Sequence, residues 1–299
     1  MKINIYQLNP KKWNREAKQL LSTLSGLIVL CIVFALLSPY FFTLNNILTV
    51  ATQTAVIAII AIGQSYVMIT GGIDLSIGSN IAFSGMIAGL AMAGSFPVYI
   101  ACIFGIIGGT LIGLLNGLMV SYANMPPFIA TLGTMTAVRG LSLTLTQGIP
   151  ISGLPRAFTV IGTGKSLGIP NPVLIMLGLT IVFGLILAKT KLGRYIYASG
   201  SNIDAARLSG VNTKLVLTNT YIFSGFLASC AGLIMAARII SAQPAAGEGY
   251  ELDAVASSVI GGVSAMGGEG LIGGTFIGAF VIGVLRNGLN LVGVSPFIQ

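Results

Sequence analysis

No histidine occurs anywhere in the sequence, so imidazole metal sites and imidazole acid–base chemistry are excluded at once. The three cysteines, Cys31, Cys102 and Cys230, stand singly inside apolar runs with neither metal-ligand nor disulfide spacing. Charge is scarcer still: only 7% of residues are Asp, Glu, Lys or Arg, against about 25% in an ordinary soluble domain. With 55% hydrophobic residues and a mean hydropathy of +0.94, the chain has too little polar surface to face water on all sides. The bilayer must be its main solvent, and helices that satisfy their own backbone are the economical way to cross it. The expected class is therefore an all-α polytopic membrane bundle. A formal charge of +8 could suggest nucleic acid, but the basic residues collect beside apolar runs and form no stripe with interleaved aromatics. They set orientation, and no nucleic-acid partner is expected.

Residues 1–19 carry Lys2, Lys11, Lys12, Arg15 and Lys18 against Glu16, and an uncharged run from Leu20 to Leu37 follows. This places the N terminus in the cytoplasm. The run is too long for a secretory signal, and Ser38-Pro39-Tyr40 offers no small-residue cleavage site, so an uncleaved first span is expected. Further apolar runs lie at about 47–69, 79–93, 97–120, 127–147 and 171–188, punctuated by Asn, Pro and Gly. Six crossings return the chain to the cytoplasm at the 189–214 loop. Runs at about 215–238, 252–266 and 271–286 raise the expectation to nine spans in one transmembrane domain, 20–299. Arg238 and Arg286 then fall at outer ends, against the positive-inside rule.

The 189–214 loop holds Lys189, Lys191, Arg194, Arg207 and Lys214 with only Asp204 opposing them, so charge independently marks it as cytoplasmic. Ser201 or Asn202 caps a short helix with the body Ile203 to Ser209, and Gly210 supplies the left-handed stop. A helix of about two turns is too short to stand alone, so it needs a partner, and a soluble cytoplasmic protein is the natural one. Two glycine stripes, Gly105, Gly109, Gly113 and Gly117, then Gly270, Gly274 and Gly278, mark places where helix backbones approach closely in lipid.

Two catalytic look-alikes fail on context. Gly164-Lys165-Ser166 resembles the end of a phosphate loop, but Thr159 stands where its first glycine is needed and Gly168-Ile169-Pro170 follows where a helix must begin. Gly268, Gly270 and Gly273 spell GxGxxG between two spans, with no strand before them. Any energy source for active transport lies outside this polypeptide. The charges at membrane depth are few and expensive. Asp74, after the paired glycines of Gly71-Gly72-Ile73-Asp74, is expected to cap the third span through amides near Ile77 or to line a cavity. Arg139, in mid-run, needs a buried partner or a wet path. Glu248, Glu251 and Asp253 read as acids favouring a helix start, and their segment forms a weak repeat with Gly72-Ile73-Asp74-Leu75 on the opposite side of the membrane.

Taken together, Gly72-Ile73-Asp74-Leu75-Ser76, Lys191-Leu192-Gly193-Arg194-Tyr195-Ile196-Tyr197-Ala198, Ala206-Arg207-Leu208-Ser209-Gly210 and Gly249-Tyr250-Glu251-Leu252-Asp253-Ala254 resemble the membrane permeases of bacterial ribose-type ATP-binding-cassette sugar importers, over nearly the whole chain. The resemblance implies two permease copies in the inner membrane, a cytoplasmic ATPase that carries the ATP and Mg, and a periplasmic or lipid-anchored sugar-binding protein. No cofactor is implied in this chain. The family fold has about ten spans, and one last helix is expected to begin near Ser295-Pro296-Phe297-Ile298-Gln299.

By the same resemblance the coupling helix comprises Ser201, Asn202, Ile203, Asp204, Ala205, Ala206, Arg207, Leu208, Ser209 and Gly210. Arg156 and Lys165, in the long 148–170 connection, are the expected contacts for acidic patches on a binding protein. A weakly polar path is expected from Gln53, Gln64, Asn116 and Thr131, with Asp74 and Arg139 as possible gates. The implied mechanism is alternating access without covalent chemistry, which makes the chain a transport subunit and not an enzyme. The rival class is an ion-coupled secondary carrier, for which Asp74 is the one available acid of the first half beyond the N-terminal segment. Ribose is the first expectation for the sugar.

Overall fold

A computed structural model of the chain describes residues 10–295, with side chains from Ala17 onward. Lys2 and the segment expected to open a last helix at 296–299 lie outside the described residues. α1 (Pro10–Leu37) begins within the basic N-terminal stretch and continues into the first span. α2 (Leu44–Ile69) follows, capped by the Thr43 hydroxyl accepting from the Asn46 amide at 3.3 Å. α3 (Ile77–Ala93), α4 (Val98–Ser121) and α5 (Pro127–Thr146) complete the first half.

On the outer side, β1 (Ile151–Ser152), α6 (Arg156–Thr163) and a small hairpin of β2 (Lys165–Ser166) with β3 (Ile169–Pro170) lead into α7 (Asn171–Lys189). α8 (Lys191–Ser201) and α9 (Ile203–Leu208) occupy the 189–214 loop. α10 (Thr213–Ile239), β4 (Ser241–Ala242), α11 (Tyr250–Ile260) and α12 (Ile272–Leu291) close the described chain, and β4 pairs antiparallel with β1.

Among the described residues seven helices are long and apolar enough to cross a membrane, fewer than the nine expected. The difference lies in α3 and α11. At a rise of 1.5 Å per residue, the 11 residues of α11 extend roughly 16 Å, half of a hydrocarbon core of about 30 Å. α3 has 17 residues and starts inside the bundle. Each is completed by an irregular segment, 70–76 before α3 and 243–249 before α11, so segment and helix together make one crossing. Nine crossings, with the parity expected for the 189–214 loop, require that each segment and its helix together span the membrane.

These two segments enter from opposite sides and meet. The start of α3 touches the second segment, because a Cβ on Gly247 would stand 2.6 Å from the Gly78 carbonyl oxygen. The end of α3 lies by the outer β-pair, with Gly89 against Ala242 and Ile151. The end of α11 lies at the inner side, where Thr23 Oγ1 donates to the Ile260 carbonyl at 3.0 Å. The weak repeat seen in the sequence was expected on opposite faces of the membrane; its two copies instead converge in the interior as inversely oriented helix starts, the discontinuous-helix arrangement found in transporters.

The core is built on α2 and α10. From Thr54 to Ile69 every residue of α2 is buried, including Tyr66, whose hydroxyl donates to the Phe183 carbonyl at 2.5 Å. α10 packs on α4, α2 and α3, and the first glycine stripe explains how closely. A Cβ on Gly225 would fall 2.8 Å from Gly113 Cα, so the two backbones touch with no side chain between them. In the second stripe Gly274 and Gly278 bring α12 onto α11 at Gly261 and Ser257. Gly270 precedes the helix and is not part of that contact surface. α1 sits at the periphery against α12 and leaves Leu21, Ile28, Val29 and Leu36 facing outward, as lipid contact demands.

Candidate functional site: a buried polar cluster, an outer cavity and a cytoplasmic helix

The irregular segment 70–76 would expose backbone groups in a low-dielectric interior unless the protein satisfied them. Asp74 sits at the centre of the groups that do so. Its Oδ1 accepts from the Ser76 amide at 3.0 Å and from the Ser76 hydroxyl at 2.6 Å, while Oδ2 accepts from the Ser224 hydroxyl at 2.7 Å. The Asp74 amide donates to Gln64 Oε1 at 3.3 Å, Asn116 Nδ2 donates to Ser76 Oγ at 2.8 Å, and Thr131 Oγ1 donates to the Ile73 carbonyl at 3.1 Å. Four of the six residues expected along a path therefore converge on one turn.

Their arrangement differs from an open path. Gln64, Asp74, Asn116 and Thr131 are each at most 1% exposed and together hold the turn that starts α3. Asp74 was expected to cap α3 through amides near Ile77; it instead holds the amide of Ser76, the residue before the helix, which has no side-chain cap of its own. Gln64 Nε2, Asn116 Oδ1 and Tyr221 Oη lie in the same cluster without a hydrogen bond to protein, so the group retains unused polar capacity. Ser76, Ser224 and Tyr221 were not foreseen. Serines and tyrosines are common in such chains, and nothing local marks these as neighbours of an aspartate.

Arg139 stands apart from that cluster. Its Nη1 donates to the carbonyls of Pro244 at 2.6 Å and Ala246 at 2.9 Å, which tethers the second irregular segment to α5. The buried partner expected for this cation is thus backbone, with the carboxylates of Glu248 and Glu251 adding their field. Glu251 and Asp253 lie in the first turn of α11, where acids favour the positive end of the helix. Glu251 also reaches the start of α3, because the missing side chain of Gly78 leaves space for its carboxylate.

Gln53 is the sixth expected path residue, and it lies away from the others in an outer cavity of about 600 Å³. Tyr250, Asp253, Arg286, Arg238 and Asn290 share its walls. Arg286 Nη2 lies 2.6 Å from Asp253 Oδ2, and its guanidinium sits 5.3 Å from the centre of the Tyr250 ring. The two arginines that violated the charge rule are therefore not loop signals. One faces an acid, and the other, Arg238, donates to the Thr52 carbonyl at 3.4 Å, both on the wall of a polar cleft. A second cavity of about 480 Å³ shares Gln53 and Arg238 and opens beside Lys165. Lys165 and Arg156 are both exposed on the outer connection, and the Gly164-Lys165-Ser166 look-alike is a hairpin strand.

On the cytoplasmic side Asn202 is the cap of α9, its Oδ1 accepting from the Ala205 amide at 2.9 Å. Ser201 instead ends α8, a helix that was not anticipated. Ser209 lies just past the end of α9, and Gly210 takes φ +83°. α8 is seated against the bundle: Gly193, Ile196 and Ser199 are buried, Gly200 abuts the Ile69 carbonyl, and Tyr197 Oη donates to the Gly270 carbonyl at 2.6 Å. α9 hangs from this platform with Ala206 as its one buried residue. Ile203 is 46% and Leu208 89% exposed, an unpartnered apolar face on this short helix among the described residues. Arg207 and Asp204 pair at 2.6 Å on the surface, which contributes little by itself.

The chain has recognisable relatives. The family model described as branched-chain amino acid transport system, permease component, matches residues 46–299. The ribose import permease protein RbsC of Bacillus subtilis strain 168 is 46% identical over 284 residues, 94% of this chain and 88% of that one. RbsC of Escherichia coli strain K12 is 43% identical over 293 residues, 97% and 90% respectively. The D-allose transport system permease protein AlsC of the same strain is 38% identical and covers 91% and 84%. No solved structure matches the chain significantly. With most of its length matched by the family model and these permeases aligned over nearly all of it, this multi-pass inner-membrane protein belongs to the branched-chain amino acid transport system permease component family.

Proposed function

We propose that this chain is the membrane permease subunit of an ATP-binding-cassette importer that carries a monosaccharide, ribose first, into the cell. The observation that carries this reading is the near-full-length identity of 43–46% to ribose import permeases. It acts as a single transmembrane domain, 20–299, behind the basic segment 1–19, and pairs with a second copy of itself. A cytoplasmic ATPase binds the exposed face of Ile203 and Leu208, and ATP and Mg reside on that partner. A sugar-binding protein docks on the outer connection, where Arg156 and Lys165 meet acidic patches on its lobes. The chain performs no covalent chemistry and is not an enzyme.

Closure of the ATPases moves α9, and α8 passes the motion to the inner ends of α2 and the 261–271 loop, with which it is in direct contact through Ile69, Gly268 and Gly270. The inverted helix starts at Ile77 and Tyr250 lie between the two faces, where an outward-open and an inward-open state exchange. The test is sugar uptake in cells carrying the intact operon, comparing wild type with the double variant Ile203→Asp, Leu208→Asp. Loss of uptake and of ATPase association, with membrane insertion intact, is the expected result. Uptake that persists and follows the proton gradient would overturn the reading and indicate a secondary carrier.

A further inference from the structure

The outer cavity has the chemistry of a sugar subsite, although the sequence marked Gln53, Arg238, Asp253 and Arg286 among its walls only one by one, and not as a group. Its volume of about 600 Å³ falls within the range of roughly 300–1,000 Å³ for small-molecule sites. Its walls combine a carboxylate, two guanidinium groups, two amides and one aromatic ring. At membrane depth such groups are retained where they face a wet cavity or one another. Asp253 and Arg286 do both. Their atoms approach to 2.6 Å, with Asp253 Oδ2 buried against the guanidinium and the Asp253 side chain 12% exposed. The Arg286 side chain remains 41% exposed on the cavity wall.

We propose that Asp253, Arg286, Arg238, Gln53 and Asn290, with the Tyr250 ring as one wall, form a transit subsite for an uncharged polyhydroxylated molecule of monosaccharide size. Vicinal hydroxyls donate to the carboxylate and accept from guanidinium and amide N–H groups, so the polar groups exchange one set of partners for another without being left bare. The aromatic ring meets the apolar C–H face of a sugar ring. Asp253 offsets Arg286, and the cavity keeps the single positive charge of Arg238, which suits an uncharged occupant better than a cationic one. Access is in place as well, since the neighbouring cavity leads from Lys165 to Gln53 and Arg238. Asp253 and Tyr250 stand on the first turn of α11, so an occupant at this subsite touches one of the two interrupted crossings directly.

This inference rests on the proposed sugar permease function, and its test separates the two. In a background with Cys31, Cys102 and Cys230 changed to Ala, Leu289→Cys places a thiol on the cavity wall, and its rate of modification by a small maleimide is measured on the purified full-length chain. Ribose at millimolar concentrations is expected to slow labelling at least twofold. Asp253→Asn and Tyr250→Leu should abolish this protection, while Tyr250→Phe, which keeps the ring, should retain it. In the assembled transporter the same Asp253→Asn and Tyr250→Leu variants should lower sugar delivered per ATP hydrolysed about tenfold, with ATPase activity maintained.

A merely structural role would lower uptake and ATP hydrolysis together and leave their ratio unchanged, which overturns the proposal. Labelling indifferent to ribose while the wild-type transporter imports ribose overturns the subsite and leaves the function standing. Protection by ribose without any ATP-driven uptake sustains the subsite and overturns the function.

Discussion

Replacing Arg139 by Met tests whether one side chain holds the second interrupted crossing in place. The guanidinium gives hydrogen bonds of 2.6 and 2.9 Å to the Pro244 and Ala246 carbonyls. Each bond to a charged group contributes about 1.5–3 kcal/mol, so the lower value for both gives about 3 kcal/mol. At 1.4 kcal/mol per factor of ten, the local opening of 243–249 should become roughly 150-fold more populated. Met fills much of the volume of the Arg stem, so packing loss is small beside this electrostatic effect. Hydrogen exchange on the detergent-purified protein reads the change at the Ala246 and Tyr250 amides, which donate to Gln243 and Gly247 at 3.1 and 3.2 Å. Arg139→Lys, with one compact ammonium in place of the fork, should fall between. Protection that is unchanged in Arg139→Met would refute the tether, and a uniform loss along α2 and α10 would show that Arg139 supports the whole bundle instead.

Three further outcomes follow from the packing. Gly225→Ala drives a Cβ into the Gly113 backbone and should lower the unfolding midpoint in detergent steeply or block insertion, while Gly140→Ala, with nothing within 4 Å, should leave it unchanged or slightly raised. Asp74→Ala strands the Ser76 amide, the Ser76 hydroxyl and the Ser224 hydroxyl, and should cost about 3–5 kcal/mol in chemical denaturation, more than Asp74→Asn, which keeps one acceptor oxygen. Asn202→Ala removes the cap of α9, at about 1 kcal/mol, and should weaken ATPase association measured by co-purification without lowering the unfolding midpoint of the bundle.

Long apolar runs made most of the fold legible, because twenty apolar residues have few alternatives to a spanning helix. The two interrupted crossings were harder. The 79–93 and 252–266 runs carry the same composition whether a helix spans alone or starts halfway, and only Gly71-Gly72 and Gly247-Glu248-Gly249 hinted at a break. α8 hid inside a charged passage; its buried Gly193, Ile196 and Ser199 fall every three residues, a helical spacing that the surrounding lysines and arginines obscured. The α9 cap and the Gly210 stop were readable because both act through the local chain. Residue type marked Gln64, Asp74, Asn116 and Thr131 as candidates for a polar path, but their convergence on one buried turn depends on tertiary packing that residue type does not show. The pairing of Asp253 with Arg286 left one usable trace, an arginine on the side of the membrane where the charge rule does not expect it.

The two interrupted crossings resemble each other in direction but not in how they are fixed. Around 70–76 the supporting groups come from α2, α4, α5 and α10, and Asp74 at their centre is 1% exposed. Around 243–249 Gln243, Ala245 and Glu248 are exposed, and among the described residues the long-range side-chain hydrogen bonds to the segment come from Arg139. Local opening is easiest where buried contacts and protected hydrogen bonds are fewest. The outer segment is therefore the softer of the two, and it is also the one whose helix carries Tyr250 and Asp253 into the cavity. α3, by contrast, is locked to α4 and α10 by glycine contacts that permit no intermediate spacing. In the proposed transport cycle, motion from α9 would reach the cavity through α8 and the 261–271 loop to α11, with α2, α3, α4 and α10 as the frame.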